Sequence, residues 1–525
     1  MERTTLGISL IDRIPNVEIR QRTRAIDVGL RIGTLPSNDE ISSVMRRLLL
    51  TILFECVICK PTGNSDNIPK TNVTSAYLSK WEDLDTRPLP QWYDAAKIGI
   101  FIHWGIYSVA GKNEWLWANM EGGDAETVSI LRKKYGPNFA YEDLAPLFTA
   151  KSFNPDKWAK LFAKSGAKYV VLTTKHHDGF TLFPSKRPYW NSVDEGPKKD
   201  IVKLLSKAVR KHNMKFGVYY SLYEWFNKLF LNDKISGYKT TKYTDEIVWP
   251  DIKYLVENYK PSVLWSDGES DASDAYWKSP ELLAWLYNES PVKHEIVVND
   301  RWGADTNCKH GDFYNCADRF NPNYSSINHK WENAFSLDKY SWGYRKDTNK
   351  GADILSDHEL LESVVSTVSC AGNAFINVGP TEDGTIVPIF QERLLQLGEW
   401  LDVNGEAIYD TSPWTYQKDS HNTDVWYTCR KKEYNPSKPV ALPSESDIIT
   451  AVYVIFLKWP KSNLLIVKDL VPYSKKGIYQ VDMLGSKVLE DLNWWIGKDM
   501  VEIALPDKAD MSTEHAWTLK IHTKL

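Results

Sequence analysis

Residues able to do chemistry stand in short clusters, each at the end of an apolar run. His103-Trp104-Gly105 follows residues 98–102, Lys175-His176-His177-Asp178-Gly179 follows 169–173, and Tyr219-Tyr220-Ser221 closes the run that begins at Phe216. Asp267-Gly268-Glu269 comes after 262–265, and Asn299-Asp300-Arg301-Trp302 after 295–298. One such cluster means little. Five in series bring together carboxylates, imidazoles, an arginine and indoles, a set that fits cleavage of a glycosidic bond. In the retaining form of that reaction one carboxyl group attacks the anomeric carbon, while a second protonates the leaving oxygen and later activates water.

Asp267, short-stemmed and at a strand end, is the expected nucleophile; the competing reading is a turn aspartate before Gly268. The acid/base partner is open between Asp318, in Asn315-Cys316-Ala317-Asp318, and Glu332, in His329-Lys330-Trp331-Glu332. Both fall in the long segment after Arg301, which the sequence presents as loop. Trp331 offers Glu332 an apolar wall that would keep it protonated, and a disulfide at Cys316 would pin Asp318. Glu269 is so close to Asp267 that it is expected to contact a hydroxyl or support the loop. A metal held by His176, His177, Asp178 and His103 is the weaker reading, because adjacent side chains at a strand end diverge. No metal and no cofactor is expected.

These clusters converge only if strand ends face one pocket. Strand-like runs, closed by 374–378, alternate with amphipathic helical stretches at 154–164, 201–212 and 390–401, which predicts a parallel sheet and most economically a (β/α)8-like TIM barrel over 70–408. From 409 to 525 short strands separated by Pro, Asn, Ser and Gly turns predict a β-sandwich.

The 525 residues carry 64 basic and 68 acidic side chains, a net charge of −4 that recruits neither nucleic acid nor an anionic membrane. Aromatic content is high, with 22 Trp, 27 Tyr and 17 Phe. Trp104, Trp115, Trp265, Trp302 and Trp331 are expected as pocket walls, and Trp158, Trp285 and Trp400 as packing. Met45-Arg46-Arg47 and the apolar residues up to Cys59 have the pattern of a secretory signal over 45–62, with 1–44 an upstream extension of the gene model. Glu55 interrupts that run, which falls short of the roughly 20 apolar residues of a membrane span. No membrane attachment is expected after its removal. Cys56 and Cys59 have no second pair nearby to complete a metal or redox site. Asn72, Asn288 and Asn323 begin glycosylation sequons that agree with a secretory route, in which Cys308 and Cys316 are expected to pair as a disulfide.

The motifs His103-Trp-Gly, Glu114-Trp115, Lys175-His-His-Asp-Gly-Phe180, Tyr219-Tyr-Ser, Leu264-Trp-Ser-Asp-Gly-Glu269, Asn299-Asp-Arg-Trp-Gly303 and Asn377-Val-Gly-Pro380 resemble the α-L-fucosidases of glycoside hydrolase family 29, especially the animal lysosomal enzymes. The likeness covers roughly residues 70–525. It implies a retaining exo-glycosidase that removes terminal α-L-fucose from glycoproteins, glycolipids or oligosaccharides, with Asp267 as nucleophile. His103, Glu114, Trp115, His176, His177, Tyr220, Trp265 and Arg301 match the positions around the fucose, with Tyr219 in reserve for Tyr220. The resemblance leaves the acid/base open, Asp318 being favoured for its pinned loop. It further implies lysosomal or secreted protein, fucosylated glycans as partners and a tetramer. Asp178 stands where animal members often have glutamate. A catalytically weak or inactive fucose-binding protein on the same scaffold is the alternative.

Overall fold

The computed structural model describes residues 76–523 apart from 323–326, 347–350, 434–439, 445, 473–476 and 489–490. The expectations for the extension, the signal segment, Cys56, Cys59, Asn72 and Asn323 lie outside the described residues.

Seven parallel strands form the larger sheet: β1 (Ile98–Ile102), β2 (Tyr169–Lys175), β3 (Lys215–Ser221), β4 (Val263–Asp267), β5 (Val297–Val298), β6 (Trp331–Ser336) and β7 (Gly372–Val378). Their spatial order is β5-β4-β3-β2-β1-β7-β6. The eighth place is taken by residues 312–315. Asp312 and Phe313 donate their N–H groups to Val298 O on one side, and Tyr314 exchanges backbone hydrogen bonds with Lys330 and Glu332 on the other. The barrel expected from the sequence is therefore present, with an irregular segment in one stave. β6 is a strand where the sequence presented loop.

Period-two alternation sorts each strand between two cores. Phe101, Tyr169, Val171, Tyr219, Val263, Trp265, Val297, Ala334 and Phe375 point into the lumen. Their neighbours Ile100, Ile102, Val170, Val218 and Leu264 pack outward. Phe375 stacks between Phe101, at 4.4 Å, and Tyr169, at 5.5 Å. Such pairs contribute about 0.5–1.5 kcal/mol each beyond the area they bury. Gly99 makes room for this: a Cβ there would lie 2.2 Å from the Tyr169 ring.

Helices Pro155–Lys164, Ile201–Lys211 and Pro388–Asn404 supply the outer layer near the predicted spans. Asn154 and Asp200 cap the first two by accepting from Lys157 N and Lys203 N. Trp158 and Trp400 are buried here as expected, and Trp285 packs partly buried against the same layer.

The C-terminal part holds a five-stranded antiparallel sheet, β8 (Ser412–Lys418), β9 (Val425–Lys431), β10 (Ile449–Phe456), β12 (Ile478–Met483) and β15 (Trp517–Thr523), ordered β12-β15-β10-β9-β8. A three-stranded sheet of β11 (Leu464–Val467), β13 (Trp494–Ile496) and β14 (Val501–Ala504) shares its core. The other face of the large sheet presents Trp426, Ala451, Tyr453 and Ile455 to the barrel's helices. Trp400 Nε1 donates to Ala516 O (2.9 Å) and Thr428 Oγ to Ala407 O (2.7 Å), fixing that junction.

Candidate active site

A cavity of about 190 Å³ opens at the C-terminal ends of the barrel strands. It is lined by Phe101, His103, Glu114, Trp115, His176, His177, Tyr219, Tyr223, Trp265, Asp267, Gly268, Glu269, Ser270, Arg301, Asp318 and Trp342. Pockets for drug-sized ligands run to roughly 300–1,000 Å³. This one fits a single sugar ring.

Asp267 ends β4 and faces the lumen in phase with Val263 and Trp265. Its Oδ2 accepts from Tyr219 OH (2.6 Å) and its Oδ1 from Arg301 Nη1 (3.1 Å). Burial would raise this carboxyl, but Arg301 and the Tyr219 hydroxyl outweigh it and hold Asp267 below the ordinary aspartate range. The next residue, Gly268, sits at φ +70°, where a Cβ would strike the Tyr223 ring at 2.6 Å. Glycine at that turn lets the chain double back tightly over Tyr223.

Arg301 reaches a second carboxylate with its other terminal nitrogen: Nη2 donates to Asp318 Oδ1 at 2.7 Å. One guanidinium therefore bridges Asp267 and Asp318, bringing two carboxyl groups to the same cavity. Trp265 lies under the guanidinium, its ring centroid 4.8 Å from Arg301 Cζ. The loop bearing Asp318 is held by the Cys308–Cys316 disulfide, as expected, and by buried Asp300. Asp300 accepts from the N–H groups of Cys308 (2.8 Å), Asn315 (3.0 Å) and Cys316 (3.0 Å). Asp300, Cys308 and Cys316 also form the one group of metal-type donors close enough to share an ion among the described residues. Their sulfurs are joined to each other and the carboxylate is filled by amides, so the group is a loop clamp.

Glu332 has a different place from the acid/base role considered for it. In β6 it points into the lumen, fully buried beneath the cavity. Oε2 accepts from Tyr93 OH and Tyr169 OH (both 2.7 Å), and Oε1 from Trp265 Nε1 (2.9 Å) and Asn315 Nδ2 (3.2 Å). A carboxylate so enclosed cannot meet a substrate. The sequence misled because Trp331, the supposed apolar wall, faces the opposite side of the strand and donates to Cys370 O.

Tyr220 is likewise corrected. Its hydroxyl donates to Asp251 Oδ2 (2.9 Å) outside the barrel, while Tyr219, the reserve residue, lines the cavity. A register shift in β2 between Thr173 and Lys175 turns Lys175 outward, where it pairs with Glu224 (3.0 Å), and brings His176 inward. Asp178 is buried behind the cavity wall, accepting from Tyr141 OH (2.8 Å), and burial pushes it up to about 6.

Three imidazoles occupy the wall above β1 and β2. Asn377 Nδ2 donates to Ser336 Oγ (2.9 Å) and Trp342 O (2.7 Å), so its Oδ1 accepts from His103 Nδ1 (2.8 Å). Ser221 Oγ donates to Tyr223 O (2.8 Å), so it accepts from His177 Nδ1 (2.7 Å). Both tautomers are thereby set with Nε2 as an acceptor. Burial lowers the pKa of all three rings, His176 well below the usual value and His177 to about 4 despite the charge of Asp267. They are neutral hydrogen-bonding groups. Glu114 Oε2 accepts from Ser341 Oγ (2.9 Å), Trp342 N (3.1 Å) and Gly343 N (2.8 Å), which fixes it beside them.

Of the expected tryptophan walls, Trp115 and Trp265 line the cavity. Trp104, Trp302 and Trp331 are buried in the outer core instead. Trp104 packs on Phe148, Phe153 and Trp158, because it follows the inward His103 on the opposite face. Trp342 and Tyr223 also line the cavity, outside the residues singled out from the sequence. The Ser341-Trp342-Gly343 triplet after β6 was the available signal for the first. Asn288 is half-buried, its amide hydrogen-bonded to both Tyr77 N (2.9 Å) and Tyr77 O (2.8 Å).

A family model described as "Alpha-L-fucosidase" matches residues 66–406, and one described as "Alpha-L-fucosidase C-terminal domain" matches 417–522. The chain is 44% identical over 480 residues to the tissue alpha-L-fucosidase of Homo sapiens, covering 90% of this chain and 96% of that protein. It is 47% identical over 448 residues to the plasma alpha-L-fucosidase of the same organism, covering 84% and 91%. Among solved structures, the Thermotoga maritima alpha-fucosidase in complex with fucose matches with a TM-score of 0.67 at 34% identity, covering 85% of this chain and all of that one.

Proposed function

The chain belongs to the alpha-L-fucosidase family, and from that premise we propose that it hydrolyses terminal α-L-fucose from glycans with retention, through a covalent fucosyl-enzyme. Asp267 attacks C1 while Asp318 protonates the departing oxygen. Asp318 then takes a proton from the water that releases fucose. The observation that carries this reading is the Arg301 fork holding both carboxyl groups at one cavity. Arg301 and Tyr219 keep Asp267 ionised, as a nucleophile requires. His103, His176 and His177 meet sugar hydroxyls, and Trp115, Trp265 and Trp342 supply apolar surfaces for the ring and its C6 methyl group.

The catalytic unit is taken as residues 70–408 and the sandwich as 409–525. The tissue and plasma names of the relatives favour a lysosomal or secreted protein. Among the described residues no helix is long and apolar enough to cross a membrane. Glycosylation at Asn72, Asn288 and Asn323, and assembly as a tetramer, complete the reading.

Purified protein incubated with an aryl α-L-fucoside, followed by proton NMR, is expected to release α-fucose first. Release of the β-anomer, or no release, would overturn the proposal.

A further inference from the structure

Glu269 has no part in the mechanism above, yet it is a buried carboxylate on the cavity surface. It opens the short turn Glu269–Asp271 after Gly268, and Trp277 Nε1 donates to its carbonyl (3.1 Å). Asn307 Nδ2, one residue before the disulfide, donates to Oε1 (3.0 Å). Among the described residues no other side chain hydrogen-bonds this carboxylate, and it lines the cavity with Ser270, Arg301 and Asp318. Burial and the charge of Asp267 both raise its pKa. Oε2 takes no side-chain donor and is not sealed from the cavity, so a ligand hydroxyl is its natural complement.

The order of the strands says which part of a ligand that is. β4 and β5 lie across the barrel from β1 and β7. The imidazoles and Glu114 that receive the fucose rise from the β1–β2 side. The acid/base by its role stands beside the departing oxygen, and Glu269 lines the same cavity next to exposed Ser270, its charge and that of Asp318 both acting on Arg301. A cavity of about 190 Å³ is filled by one ring, so the second sugar of a glycan sits at this rim. We propose that Glu269, clamped by Asn307, hydrogen-bonds a hydroxyl of the leaving-group sugar next to the glycosidic oxygen, and so selects glycan substrates over aglycones without hydroxyls. This rests on the roles given above to Asp267 and Asp318.

The test compares kcat/KM on an α-L-fucosyl disaccharide with that on phenyl α-L-fucoside, in the unaltered protein and in Glu269→Gln and Glu269→Ala. Phenol, with a pKa of about 10, still needs the proton of Asp318 but offers no hydroxyl. The ratio of the two values cancels the folded fraction and any effect on Asp267. It is expected to fall about ten-fold or more in both variants. An unchanged ratio, whether both rates fall together or neither moves, overturns the assignment. A disaccharide deoxygenated beside the linkage is expected to penalise the unaltered protein more than the variants, and an equal penalty overturns it too. If the unaltered protein releases fucose from neither substrate, the hydrolase reading fails and this assignment with it, whereas an unchanged ratio removes this assignment alone.

Discussion

The wall above β1 and β2 and the wall above β4 and β5 face one cavity, yet they are electrically unlike. The first presents neutral imidazoles whose protons are placed by Asn377 and Ser221, with burial keeping the rings uncharged. The second presents Asp267, Glu269 and Asp318 around Arg301. Desolvation acts on both, but only the second has an opposite charge at hydrogen-bonding distance to overcome it. Neutral groups can bind a ligand without disturbing the charge on Asp267. Paired charges hold the Asp267 carboxyl low where burial alone would raise it.

If the charged wall does the chemistry, Asp267→Ala lowers kcat/KM by about four orders of magnitude. Azide restores part of the turnover as β-fucosyl azide, and wild-type turnover in the variant would sink the contrast. Asp318→Ala loses about 10²–10⁴-fold on substrates with poor leaving groups and far less on 4-nitrophenyl α-L-fucoside, whose leaving group needs little protonation. An equal loss on the two would give the acid/base role to another residue. Arg301→Met removes the charge that holds Asp267 low, so the Asp267 pKa rises and the acid limb of kcat/KM against pH moves to higher pH. A limb that stays put, or moves down, would mean that Arg301 does not set the ionisation. On the neutral wall, Asn377→Leu frees the tautomer of His103 and raises KM about ten-fold with the acid limb unmoved. A shift of that limb would show the imidazoles taking part in the charge balance after all.

Much of this site is visible in the linear chain because its clusters end runs of regular strand period. Asp267, His103, His176, His177 and Arg301 follow β-type runs at once, so barrel geometry alone brings them to one end. Where the period breaks, the linear reading fails. The register shift in β2 decides that His176 faces in and Lys175 out, and β3 carries Tyr219, not Tyr220, to the cavity. β6 reads as loop on the line because the segment before it is long and polar, and its pairing with β7 is a contact between distant residues.

The sequence by itself determined the alternation of strand and helix, the sandwich that follows, the placing of Asp267 at a strand end and the disulfide. Each is written in local period, residue type or short spacing. Tertiary structure alone gave two candidate carboxylates, of which the sequence modestly favours Asp318, different surroundings. Glu332 is enclosed by Tyr93, Tyr169, Trp265 and Asn315, drawn from four separate segments, while Asp318 is 57% exposed and bound by Arg301. Solvent exposure and the company of an opposite charge are properties of residues far apart in the chain, so no local pattern could have separated them.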